Sequence, residues 1–76
     1  MKKVSISPLQ NRILWILEEA GEETNITVVA TLRSEKAYPD DDLFEQALQG
    51  LDRLGYIRRE NESLVMTELG YAALSR

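Results

Sequence analysis

Apolar positions recur along the chain at two spacings, and the switches between them mark its elements. From Pro8 to Gly21 the spacing is helical. At about 100° per residue, Leu9, Ile13, Ile16, Leu17 and Ala20 share one face, with Leu14 at its flank. Ser7-Pro8 is a helix start: serine as N-cap, proline at the first helical position, where a missing N–H costs nothing. Gly21 stands where a left-handed C-cap is expected. Trp15 points nearly opposite the stripe, among Asn11, Arg12, Glu18 and Glu19. Upstream, Val4 and Ile6 alternate with Ser5 and Ser7, the pattern of a loose arm or an edge strand. Glu22-Glu23 form a polar loop, and Thr24 to Thr27 read as extended. Thr27 then caps a short second helix, Val28 to Lys36, burying Val29 and Leu32. The β-branched Val28-Val29 pair makes that helix depend on tertiary packing.

Tyr38-Pro39 breaks the chain, because the residue before proline is pushed out of the helical region. A third helix follows Asp40-Asp41-Asp42, one of which caps while the others favour the positive end of the helix dipole. Its apolar stripe is Leu43, Phe44, Ala47, Leu48, Leu51 and Leu54. Its polar face is Asp42, Glu45, Gln46, Gln49 and Arg53, with Asp52 at the edge. Gly55 stops it. The period then changes to two: Tyr56 to Glu60 and Ser63 to Thr67 are strands around an Asn61-Glu62 turn. Asn61 tolerates positive φ and Glu62 is less suited to it, which leaves a longer loop open. Thr67 caps a last helix with Leu69, Ala72 and Leu74 on its apolar side.

Composition narrows the chemistry. Seventy-six residues make one small domain, residues 1–76, near the size at which a single core is only just sufficient. With no cysteine and no histidine, the chain has no disulfide, no thiolate metal site, no imidazole acid or base and no ordinary zinc site. No glycine-rich phosphate loop and no nucleophile paired with a base is present, so no enzymatic activity and no cofactor are expected. The acidic runs Glu18-Glu19-Glu22-Glu23 and Asp40-Asp41-Asp42 lack calcium-loop spacing and read as solvated faces. Apolar runs are too short to span a bilayer, and the one after Lys2-Lys3 is too short for a secretory signal; a cytoplasmic protein is expected. The net charge of −4 weighs mildly against general nucleic-acid binding.

Ala47 to Leu74 resembles the small winged-helix transcription regulators of the MarR, PadR and ArsR type. Leu51, Leu54, Gly55, Tyr56 and Ile57 match the end of their recognition helix. Thr67, Gly70, Ala73 and Leu74 match the motif after the wing, with Met66 where leucine is usual. The resemblance implies an α+β, winged helix-turn-helix fold: a three-helix core, a β-hairpin wing and a C-terminal helix. It also implies that the third helix enters the major groove of double-stranded DNA.

On that basis Gln46 and Gln49 can contact adenine, Arg53 a phosphate or guanine, and Asp42 or Glu45 can accept from cytosine. The bland alternative is a solvated helix face. Arg58 and Arg59, beside Asn61 in the wing, read either as phosphate contacts or as charges that guard a strand edge. Strand alternation lets only one of the two arginines face DNA. Lys2, Lys3, Arg33 and Lys36 add to the patch if they share its surface. Trp15 is either covered by the arm or the last helix, or anchors a homodimer or partner interface. Two functions follow: a DNA-binding transcription regulator acting as a homodimer, or a protein-interaction module whose acidic third helix docks on a basic partner.

Overall fold

Caps and stripes lay the chain out as four helices and three short strands, in a computed structural model that describes residues 6–74. In chain order they are α1 (Pro8–Ala20), β1 (Glu22–Thr24), α2 (Asn25–Ser34), α3 (Asp41–Arg53), β2 (Ile57–Glu60), β3 (Ser63–Met66) and α4 (Glu68–Ala73). The expected α+β class holds at that level. The strands form one antiparallel sheet in the order β1-β3-β2. Of the predicted arm, only Ile6 belongs to the described residues; it is half-buried against the core and unpaired with any strand. The rest of the arm, with Lys2 and Lys3, lies outside them.

α1 starts as its sequence dictates. Ser7 Oγ accepts from the Gln10 N–H at 3.1 Å, and Gln10 Oε1 accepts from the Ser7 N–H at 2.9 Å, a reciprocal capping box. The same glutamine donates through Nε2 to the Ala47 carbonyl of α3 at 3.2 Å, so one side chain both caps α1 and ties it to α3. Gly21, at φ 79°, ends the helix in the left-handed region. The buried face is Ile13, Leu14 and Leu17, while Ala20 is exposed. The stripe is therefore turned toward Leu14, because α1 is covered from several sides, by α2, α3, the sheet and α4.

α2 differs most from expectation. Its N-cap is Thr24, not Thr27: Thr24 Oγ1 accepts from the Thr27 N–H at 3.1 Å and donates to Thr27 Oγ1 at 3.0 Å. Pairing of Glu22–Thr24 with Val65–Ser63 holds the chain extended only as far as Thr24. The Asn25 N–H then donates to the Glu62 carbonyl at 2.8 Å, and the helix begins there. Val28 and Leu32 are buried and Val29 is half-buried. Thr24→Ala is expected to destabilise the protein by about 1 kcal/mol and Thr27→Ala by less than half of that, read by urea denaturation.

α2 also ends earlier than expected, at Ser34. Lys36 is not helical; it sits at φ 58°. The Lys36 N–H donates to Arg33 and the Ala37 N–H to Leu32, the two bonds of a Schellman stop. α3 ends the same way, Gly55 (φ 81°) donating to Asp52 and Tyr56 to Leu51. At its start Asp40 accepts from the Leu43 N–H at 2.7 Å. Phe44, Ala47, Leu48 and Leu51 are buried, whereas Leu43 and Leu54 at the stripe's margins stay exposed.

The β2–β3 turn is the short one. Glu60 pairs with Ser63, and only Asn61, at φ 57°, enters the left-handed region, so Glu62 is spared it. Ile57, Leu64 and Met66 point into the core. At the entrance to α4, Thr67 Oγ1 accepts from the Gly70 N–H and donates to the Gly55 carbonyl at 2.6 Å. This turns Gly70, Ala73 and Leu74 inward, rather than the expected Leu69 and Ala72; Leu69 is 59% exposed. Among the described residues no helix is long and apolar enough to cross a membrane.

Candidate nucleic-acid interface

The outward face of α3 carries Gln46, Gln49 and Arg53, all exposed and spaced so that they lie along one side of the helix. Beside them β2 lies with its alternating residues on opposite sides of the sheet. Ile57 points to the core, so Arg59, two residues on, faces the helices, and Arg58 faces away. Arg59 reaches Glu45 of α3 with both ends of its guanidinium, Nη1 to Oε2 at 2.8 Å and Nη2 to Oε1 at 3.0 Å. Gln49 Nε2 leans on the same carboxylate at 3.4 Å. The fork holds the Glu45 carboxyl below its ordinary range and raises Arg59, because the bonds exist only between the charged forms.

That pair changes the electrostatics of the face. Glu45 is a carboxylate that would repel phosphates, and Arg59 is one of the two arginines expected to attract them; each largely cancels the other. Arg58 is half-engaged with Glu60 at 3.1 Å and remains mostly exposed. Among the described residues Arg53 makes no ion pair. Asn61 is at the tip of the hairpin, exposed. The structure therefore brings together Gln46, Gln49 and Arg53 on α3 with Arg59 on β2.

The remaining candidates lie elsewhere. Lys36 lines a hollow with Arg33, Tyr38 and Pro39 at the start of α3, where Asp40 and Asp41 also sit. Here Tyr38 is the organising side chain. Its hydroxyl donates to Asp41, its ring packs 5.4 Å from that of Phe44, and the Arg33 guanidinium lies 4.8 Å over it. The Asp41 bond raises the Tyr38 phenol above its ordinary value. Trp15 is on α1, 37% exposed, in a groove that contains no residue of α3 or the hairpin.

Sequence reasoning missed the Arg59–Glu45 fork, the Arg33–Tyr38 stack and the Arg12–Glu35 ion pair at 2.7 Å. A signal existed for the first: Arg59 shares the strand parity of the apolar Ile57, so it had to face the helical layer. Among the described residues no group of three or more acidic side chains converges as metal ligands would. No protein-family model matches the chain, and neither the curated proteins nor the solved structures compared with it give a match.

Proposed function

We propose that the chain is a winged-helix DNA-binding protein, a transcription regulator that places α3 in the major groove and the β2–β3 hairpin as a wing against the backbone. The order helix, strand, helix, helix, strand, strand, helix supports this reading, as does β1 closing the sheet beside the hairpin. The observation that carries it is the α3 face. Gln46, Gln49 and Arg53 stand exposed together, and the carboxylate in their midst, Glu45, is neutralised by the hairpin's own Arg59. Glutamine recognises adenine through paired acceptor and donor, a contact worth roughly 1–3 kcal/mol of discrimination. Selection from a random-sequence duplex library, repeated with Gln49→Ala, tests the assignment. The variant is expected to lose base preference at one position while its affinity for unselected duplex stays within about twofold; an unchanged selected sequence would remove Gln49 from the readout.

A second reading has its own observation. Both hairpin arginines are engaged by carboxylates, and Asp42 and Asp52 remain exposed on α3 and make no ion pair among the described residues, although Asp52 lies near enough to Arg59 to add to its field. A basic protein partner docking on α3 accounts for those charges directly. Asp42→Lys with Asp52→Lys separates the two: duplex affinity rises if α3 meets phosphates and partner binding falls if it meets a basic protein.

A further inference from the structure

We infer that Arg59 and Glu45 set which base Gln49 reads, by fixing the direction of its side-chain amide so that it presents the pair of groups adenine requires. This role presupposes the DNA reading above and makes positioning residues of two side chains that need not touch a base. A glutamine amide left to itself is ambiguous. Half a turn about its last bond exchanges the carbonyl oxygen with the NH2 group, so either place can offer an acceptor or a donor. An ionised carboxylate removes that ambiguity, because it only accepts. Glu45 stands one helical turn before Gln49, at the spacing that brings two side chains together. Gln49 Nε2 donates to Glu45 Oε2 at 3.4 Å, which turns the amide nitrogen toward residue 45 and Oε1 away from it.

At that distance the bond is long for an N–H donor, so it depends on an acceptor that stays in place. Arg59 keeps it there. Its guanidinium grips Oε2 at 2.8 Å and Oε1 at 3.0 Å, fixing the plane of the carboxylate as well as its position. Dependence therefore runs from hairpin to helix: Arg59 holds Glu45, and Glu45 orients Gln49. One N–H of Gln49 is committed to the carboxylate. The other remains beside Oε1, and that pair meets N7 and the N6 amino group of adenine. Gln46 supplies the contrast. It is exposed on the same face, with Asp42 one turn before it, yet its side chain makes no hydrogen bond among the described residues. Asp42 is shorter by a methylene and has no arginine to hold it. The two glutamines should therefore differ, Gln49 selecting adenine sharply and Gln46 weakly.

Two charge-preserving variants separate orientation from charge. Arg59→Lys keeps the cation and loses the fork, and Glu45→Asp keeps the anion but withdraws it. Selection from a random-sequence duplex library reads base preference position by position, whatever happens to overall affinity. In the unmodified protein adenine is expected to be preferred by about tenfold opposite Gln49. In both variants that preference should fall to about twofold, while the weaker preference opposite Gln46 changes by less than about twofold. The restraint should also be visible without DNA: the side-chain NH2 resonances of Gln49 should move on Arg59→Lys, and those of Gln46 should not. An adenine preference that survives both variants, or a loss spread equally over both positions, would overturn the assignment. If Gln49→Ala leaves the selected sequence unchanged, or the unmodified protein binds no duplex, the reading of α3 itself fails and this assignment falls with it.

Discussion

Gly70→Ala is expected to destabilise the protein by about 3 kcal/mol or more, a large share of the roughly 4–11 kcal/mol available to a domain of this size. A Cβ at Gly70 would stand 2.2 Å from the Tyr56 carbonyl oxygen and 2.7 Å from Met66 Sδ. The carbonyl is backbone. It is fixed by the Schellman stop of α3 on one side and by the Thr67 N–H, 3.2 Å away, on the other. Nothing there can yield without opening the corner where α3, β2 and α4 meet. Thermal denaturation should show a loss of about 12–24 °C. Gly50→Ala is the control. Its Cβ would meet Gln10 Nε2 at 2.5 Å, but that is the end of a flexible side chain, which can swing aside. The lost Gln10–Ala47 bond and the gained helix propensity are each about 1 kcal/mol, so the net change should lie within about 1 kcal/mol of zero. If the two variants melted alike, the close-packed corner would not be what holds α4 in place.

The second large effect concerns the fork between Arg59 and Glu45. On the proposed reading Arg59→Ala does two harmful things to DNA binding at once: it removes a cation from the hairpin and unmasks the Glu45 carboxylate on α3. Together they take the site from neutral to one net negative charge, worth on the order of 1 kcal/mol near phosphates, so affinity should fall about fivefold. Glu45→Gln does the reverse. It removes the negative charge and releases Arg59, and binding should tighten by about tenfold, with a salt slope steeper by about 0.9 for one added phosphate contact. Both variants should lose only about 1 kcal/mol of stability, since both partners are half-exposed and the pair is screened by solvent. Opposite signs on affinity with the same sign on stability is the pattern that identifies the fork as an electrostatic mask. Parallel losses in both variants would make it a simple structural brace.

How much of this was legible beforehand depended on whether a residue type carried an unambiguous backbone instruction. Ser7-Pro8, Gly21 and Gly55 each did, and the two ends of α1 and the end of α3 fall at or within a residue of where those residues place them. The run Asp40-Asp41-Asp42 left the capping residue of α3 open, and Asp40 takes it. α2 slipped by three residues at its start, because Thr24 and Thr27 are equally good caps and only the pairing with β3 selects between them. Its end slipped because a lysine at φ 58° gives no sign of the turn it makes. In α4 the motif glycine was recognised but not its consequence. Gly70 lets that face approach the backbone, so Leu69 is left outside.

The α3 face was legible as a set of residues, since helical spacing alone groups Gln46, Gln49 and Arg53. Its charge was not. Whether Glu45 repels a ligand depends on Arg59, 14 residues away on another element, and on the hairpin lying close enough for a two-point contact. Strand parity gave the side Arg59 faces, but not the distance. Helical spacing alone separates Trp15 from the core stripe, and it is exposed, while the groove beside it depends on where α2 lies.

On the proposed function, α3 and the hairpin together meet a duplex. Fluorescence anisotropy of a labelled random-sequence duplex, titrated with the unmodified protein at about 50 mM salt, tests it most directly. Saturable binding in the micromolar range is expected, weakening with salt with a log–log slope of about 0.9 per phosphate contacted. Anisotropy that stays flat up to about 100 µM protein, or binding indifferent to salt, would contradict it.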